Sequence, residues 1–210
     1  MTQTLFIYVH GFNSSPASIK ARILHQYLDG LGLADDYRVP DLSHWPAEAM
    51  QQLEALVTAE RERPVVLIGS SLGGYYSTSL VERFDNSRAV LINPAVAPDR
   101  LLEDWLGANE NLYTHEAYEL TPEHLTQLRA LRAGELRDPS RYLLLQQTGD
   151  ETLDYREAVE RYRDCAQFIQ PGGSHGFDRF EDLLPAILSF AAGRVELPEP
   201  VALPFSQLSN

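Results

Sequence analysis

A chain of 210 residues, 44% of them hydrophobic, is long enough to bury one sizeable core and short for two, so a single domain is expected. Its 30 acidic against 17 basic side chains give a formal net charge of −13, a surface that repels nucleic-acid phosphates and anionic headgroups and argues against a nucleic-acid or membrane partner. The lone cysteine, Cys165, allows no intramolecular disulfide, and no apolar run reaches transmembrane length. The opening MTQTLFIYVHGF lacks the basic and apolar regions of a secretion signal, so a cytoplasmic location is expected.

In chain order, TLFIYVH (4–10) reads as a strand and HGFNSSP (10–16) as the loop that leaves it. PASIKARILHQYLDGLG then carries helical periodicity, YRVPDL (37–42) a second strand and PAEAMQQLEALVTAERE a second helix. Further strands are PVVLIGS (64–70), RAVLINP (88–94), RYLLLQQ (141–147) and AQFIQP (166–171), with helices in DYREAVERYRD and FDRFEDLLPAILSFAAG. Most of these strands are continuously apolar rather than alternating, as expected where helices cover both faces of a parallel sheet. The alternation predicts a three-layer α/β domain of about six mostly parallel strands. Residues 95–140 break the rhythm. Two helices are expected there, DRLLEDWLGANE and TPEHLTQLRALRAG, the second opened by Thr121 with Pro122 at its first position. With Leu101, Leu102, Trp105, Leu106, Tyr113 and Tyr118, this insertion reads either as an ordinary double-helix crossover or as a small helical cap over a site. The domain is expected to span 1–193, and the three prolines of VELPEPVALPFSQLSN mark 194–210 as an extended tail, ordered only where Leu203 and Phe205 dock.

The stretch LIGSSLGGYYS (67–77) sets glycines at the head of a helix, where each costs about 1 kcal/mol relative to alanine. It is no phosphate cradle, because it has neither G-x-G-x-x-G nor the Gly-Lys-Ser/Thr of a P-loop. It does match G-x-S-x-G, with Ser71 at the centre, a strand before it and a helix after it. A nucleophile displayed on a sharp strand-to-helix turn sits in strained backbone, and residues two before and two after are pressed against neighbouring chain. Gly69 and Gly73 meet that demand, and Gly74 lets the helix pack closely. Ser70 falls on the other side of the turn.

A serine nucleophile needs a base, and the base needs an orienting carboxylate, in the order Ser, acid, His on this type of fold. Of the six histidines, His10 precedes this strand-to-helix turn, the serine elbow; His25, His115 and His124 fall in helical or cap-like segments, and His44 sits in a loop beside Trp45. His175 stands in PGGSHGF, a glycine-rich loop between the last strand and the last helix, and is the candidate base. TGDETLDY follows the strand RYLLLQQ and offers Asp150, Glu151 and Asp154. Asp154 with Glu157 resembles a capping box, whereas Asp150 lies nearest the strand end where α/β sites collect, so Asp150 is chosen over Asp154. For an oxyanion hole, the amide of Leu72 and that of Phe12 in the first loop are the candidate donors.

YVHGFNSSP, LIGSSLGGYYST, VLINPAVAP, LLQQTGDETLDYREAV and GGSHGFDRFED together resemble the α/β-hydrolase superfamily, and more narrowly the YqiA-type bacterial esterases, from Leu5 to about Ala191. The resemblance implies a compact hydrolase sheet, Ser71 as nucleophile, His175 as base, Asp150 as acid, and carboxylester hydrolysis with no metal or cofactor. The expected substrate is a small short- to medium-chain acyl ester. An acyl-CoA thioesterase using the same triad, or a binding protein on the hydrolase fold, are the alternative expectations. The proline-rich tail lies outside the family pattern.

Overall fold

The apolar runs of the sequence are continuous because helices cover both faces of the central strands, leaving only Arg88 partly exposed among them. In the computed structural model, which describes residues 3–205, the chain forms β1 (Leu5–Val9), α1 (Ile19–Gly30), β2 (Tyr37–Arg38), α2 (Pro46–Ala59), β3 (Val65–Ser70), α3 (Leu72–Val81) and β4 (Ser87–Ile92). It continues through α4 (Pro98–Leu101), β5 (Gly107–Glu110), β6 (Ala117–Leu120), α5 (Pro122–Ala130), β7 (Tyr142–Gln147), α6 (Tyr155–Arg161), β8 (Ala166–Gln170) and α7 (Leu184–Ala191). Six strands make one parallel sheet in the order β2-β1-β3-β4-β7-β8, with Leu5 opposite Val65, Val65 opposite Ser87, and Leu91 opposite Leu144.

Strand alternation sorts the side chains into two cores. Leu5, Ile7, Val65, Leu67, Leu91 and Leu144 face α2, α3 and α5, whose Leu53, Val57, Leu80 and Leu128 are wholly buried among them. Phe6, Tyr8, Val66, Ile68, Val90 and Leu143 face α1 and α7, which bring Leu24, Leu28, Ile187 and Phe190. The two cores sandwich the sheet and give the three-layer α/β arrangement expected from the sequence.

Three local features depart from the periodicity. The second strand pairs only through Tyr37 and Arg38, because Pro40 carries no N–H to extend an edge ladder. In the insertion, the helix expected over 99–110 ends in a 3-10 turn at Trp105, and 107–120 folds instead as the antiparallel hairpin β5–β6. Gly107, at φ 111°, starts that hairpin. Asn111 holds its turn by accepting from the amides of Tyr113 (2.9 Å) and Thr114 (3.0 Å). The cap is thus a hairpin flanked by helix.

The tail docks by backbone. Leu203 N donates to Pro171 O at 2.8 Å and Gly173 N to Pro204 O at 2.9 Å, so the tail borders the end of β8 while the Phe205 ring stays 67% exposed. Residues 206–210 of the expected tail lie outside the described residues. Among the described residues no helix is long and apolar enough to cross a membrane.

Candidate active site

All five loops that matter leave the C-terminal ends of neighbouring parallel strands, where an open α/β sheet gathers its ligands. Ser71 follows β3 at φ 54°, ψ −119°, backbone that a non-glycine residue adopts only under constraint. Hydrogen bonds hold it there: its N–H donates to Ile92 O (3.0 Å), and its carbonyl accepts from Gly74 N (2.9 Å) and Ala95 N (3.1 Å). A Cβ on Gly73 would lie 1.9 Å from Val9 O, and one on Gly69 2.4 Å from Gly73 O, so the turn closes only with hydrogen at both positions. On Gly74 it would lie 2.6 Å from the Pro94 ring.

The loop after β8 brings His175 to the loop after β7. His175 Nδ1 lies 2.9 and 3.0 Å from the two Asp150 carboxylate oxygens. The Asp150 side chain is fully buried, and Oδ1 also accepts from the amides of Thr152 (2.9 Å) and Leu153 (2.8 Å). A carboxylate only accepts, so the imidazole donates from Nδ1 and keeps Nε2 as the free nitrogen. Asp154 is engaged elsewhere: it caps α6 by accepting from Arg156 N at 3.0 Å.

Ser71 and His175 line one cleft of 610 Å³, together with Phe12, Lys20 and the hairpin-tip residues Leu112 and Tyr113. The loop 11–14 bounds it and also bounds a second cleft of 380 Å³ that reaches His44, Trp45 and Tyr118. Gly11 runs close under the serine, a Cβ there standing 3.2 Å from Ser71 Cβ. Phe12 is braced by the edge of Trp105, ring centroids 5.8 Å apart, and Asn13 by Tyr118 Oη at 2.7 Å. Leu72 is the first residue of α3, so its N–H is one of the amides for which a helix supplies no acceptor.

His10, His44 and His124 are held by packing and hydrogen bonds away from Ser71. His10 is buried, which pushes its pKa down, and its Nε2 accepts from Leu42 N at 3.3 Å. His124 is wholly buried; its Nδ1 accepts from Thr121 N at 3.1 Å, and its Nε2 lies 3.2 Å from His44 Nδ1. Burial and the neighbouring His44 lower its pKa, keeping it neutral. Among the described residues, no cluster of three His, Cys, Asp or Glu could hold a metal ion.

Two residues that the motif reading passed over hold the His175 loop. Asn93, wholly buried at φ 41°, donates from Nδ2 to Ser174 O (2.9 Å) and His175 O (3.1 Å) and accepts Gln147 N on Oδ1 (2.9 Å). Gln147, also wholly buried, accepts Ser174 N (3.0 Å) and Asp178 N (2.9 Å) on Oε1. Its Nε2 donates to Gln170 Oε1 and Asp178 O, both at 2.7 Å. The available signal was a polar residue closing an apolar strand, in LIN and LLLQQ.

A parallel sheet with helices on both faces, and a strained serine turn after its third strand, define the protein as an α/β-hydrolase-fold protein. The chain belongs to the uncharacterised protein family UPF0227, whose profile matches residues 5–192 and leaves the tail outside. Solved structures share the fold at low identity. A protein from Agrobacterium vitis S4 is similar with a TM-score of 0.72 at 20% identity, covering 92% of this chain and 88% of that one. Est1E from Butyrivibrio proteoclasticus gives 0.70 at 16%, covering 91% and 88%, and an esterase from Exiguobacterium antarcticum gives 0.58 at 15%, covering 91% and 92%.

Proposed function

We propose that the protein is a serine carboxylester hydrolase acting on small esters of short to medium acyl chain through an acyl-enzyme on Ser71. The observation that carries this reading is the pairing, in one cleft, of a serine on strained backbone with a histidine whose Nδ1 bonds a buried carboxylate. Strain of this kind costs about 1–3 kcal/mol and persists where it serves a site.

In the proposed cycle His175 Nε2 takes the Ser71 Oγ proton as the oxygen attacks the ester carbonyl. Asp150 holds the imidazole in the tautomer with Nδ1 protonated and stabilises the imidazolium that forms. The amides of Leu72 and Phe12 receive the oxyanion, aided by the positive end of α3. The C–O bond to the alcohol then breaks, and the leaving oxygen takes the proton from His175. Water, deprotonated by the same nitrogen, attacks the acyl-enzyme and frees Ser71 and the acid. Names of esterases among proteins of the same fold support the reading.

The test is hydrolysis of ethyl acetate, butyrate and octanoate by the wild type and by Ser71→Ala. Turnover favouring the two shorter chains and lost in the variant is expected; a Ser71→Ala protein that keeps full turnover would overturn the assignment.

A further inference from the structure

Lys20 is the one lysine among the 17 basic side chains of the sequence, and it lies on the cleft that holds Ser71 and His175. It sits in the first turn of α1, and its Nζ donates to Gly176 O at 2.8 Å, the residue after His175. That acceptor is neutral, and among the described residues Lys20 forms no ion pair. The ammonium carries three donors, so two are left for the cleft. Arg179, the other basic side chain on this wall, is already paired with Asp182 at 2.5 Å. The nearby acids are also occupied or turned to solvent: Asp150 holds His175, Asp178 accepts Ser174 Oγ at 2.8 Å, Glu151 accepts His175 N at 2.9 Å, and Glu181 is exposed.

Burial pushes the Lys20 pKa down to about 8, opposed by the charge of Asp150. Lys20 therefore remains an ammonium at neutral pH, and its half-buried side chain keeps the charge on the wall of the cleft. Such a group gains most from an anion that completes its shell. One compact cation on a molecule of net charge −13 matches a monoanion and disfavours a polyphosphate.

We propose that Lys20 is the specificity-determining residue of this cleft, pairing with a free carboxylate on the substrate, so that the preferred substrates are small esters bearing a carboxylate. This rests on the esterase reading above and names its substrate class. The lysine then supplies orientation, holding the carboxylate at one end of the cleft while the ester carbonyl meets Ser71.

Two ester pairs test it: monoethyl glutarate against ethyl pentanoate, with the charge on the acyl side, and 3-butyryloxypropanoate against propyl butyrate, with the charge on the alcohol side. Each is measured on the wild type, Lys20→Met, which keeps the apolar stem without the charge, and Lys20→Arg, which keeps the charge. In at least one pair the wild type should favour the carboxylate by roughly tenfold to a hundredfold in kcat/KM, the range for a hydrogen bond between charged groups. Lys20→Met should erase that ratio, chiefly through KM, and Lys20→Arg should retain most of it. A wild type that favours the neutral ester in both pairs would overturn the proposal. So would a Lys20→Met protein that slows both members of each pair equally, since that is the behaviour of a tie to the 175–176 backbone. Turnover abolished by Ser71→Ala but lacking carboxylate preference would remove the subsite and leave the esterase reading. No turnover of any ester would remove both.

Discussion

Replacing Gln147 by leucine keeps the volume nearly constant, so the loss is one of hydrogen bonds rather than packing. Four partners are stranded: the amides of Ser174 and Asp178, the carbonyl of Asp178 and the side-chain oxygen of Gln170. Gln147, Ser174 and Gln170 are buried, so water does not reach the Ser174 amide or the Gln170 oxygen without local opening, whereas the exposed Asp178 can recover part of its loss from solvent. Each buried orphan costs about 1–3 kcal/mol, and allowing for relaxation of the loop the expected loss is about 3–6 kcal/mol. That is a large part of the 5–15 kcal/mol typical of a domain. Urea titration by circular dichroism measures it. Because the anchored amides flank His175, turnover per folded molecule should also fall, by about a hundredfold. Gln147→Glu gives a milder second variant that keeps both acceptor contacts. Its carboxylate would face the Gln170 and Asp178 oxygens, which raises its folded pKa. The folded state then binds the extra proton, so this variant should gain stability relative to the wild type as pH falls from 8 to 5. A Gln147→Leu protein within about 1 kcal/mol of the wild type and fully active would refute the idea that this side chain holds the loop.

Exchanging the two candidate acids should separate them: Asp150→Asn is expected to lower kcat by about 10⁴, as in the serine-protease triad, and Asp154→Asn to leave it within a few-fold, since asparagine caps a helix about as well as aspartate. Equal losses would mean that the Asp150–His175 contact is not what drives turnover. Gly73→Ala should cost about 3 kcal/mol or more in urea, because the new methyl meets the Val9 backbone, while Gly30→Ala, with nothing within 4 Å, should be neutral or stabilising by up to about 1 kcal/mol; equivalent behaviour would contradict the steric account of the elbow. Cys165 is half-buried and its thiol is pushed up to about 11 by burial, so at pH 8 it should react with Ellman's reagent far more slowly than free cysteine and catch up on denaturation. An immediate reaction in the native protein would show the thiol to be accessible.

The strands were legible because burial on both faces leaves an unmistakable run of apolar residues, as in VVLI and LLL, and because glycine at 69 and 73 has few other uses beside a serine. The hairpin of the cap was not. Its strands, Gly107–Glu110 and Ala117–Leu120, are short and largely polar, and its turn is organised by Asn111, whose Nδ2 also reaches Ser14 O at 2.9 Å. That contact joins residues 97 apart in sequence, which no local period records. The same holds for Lys20, Asn93 and Gln147: each looks like an ordinary polar residue until the topology brings it to the end of the sheet. The prolines mark the tail as extended, and its docking runs through the backbone of Leu203 and Pro204 rather than through an apolar anchor.

The central claim is that Ser71 is the nucleophile, and covalent capture tests it most directly. The native protein is treated with a fluorophosphonate, digested, and the adduct located by tandem mass spectrometry. One adduct per chain on Ser71, absent from the adjacent Ser70 and lost when His175 is replaced by alanine, is the predicted result. An unlabelled protein, or an adduct on another residue, would contradict it.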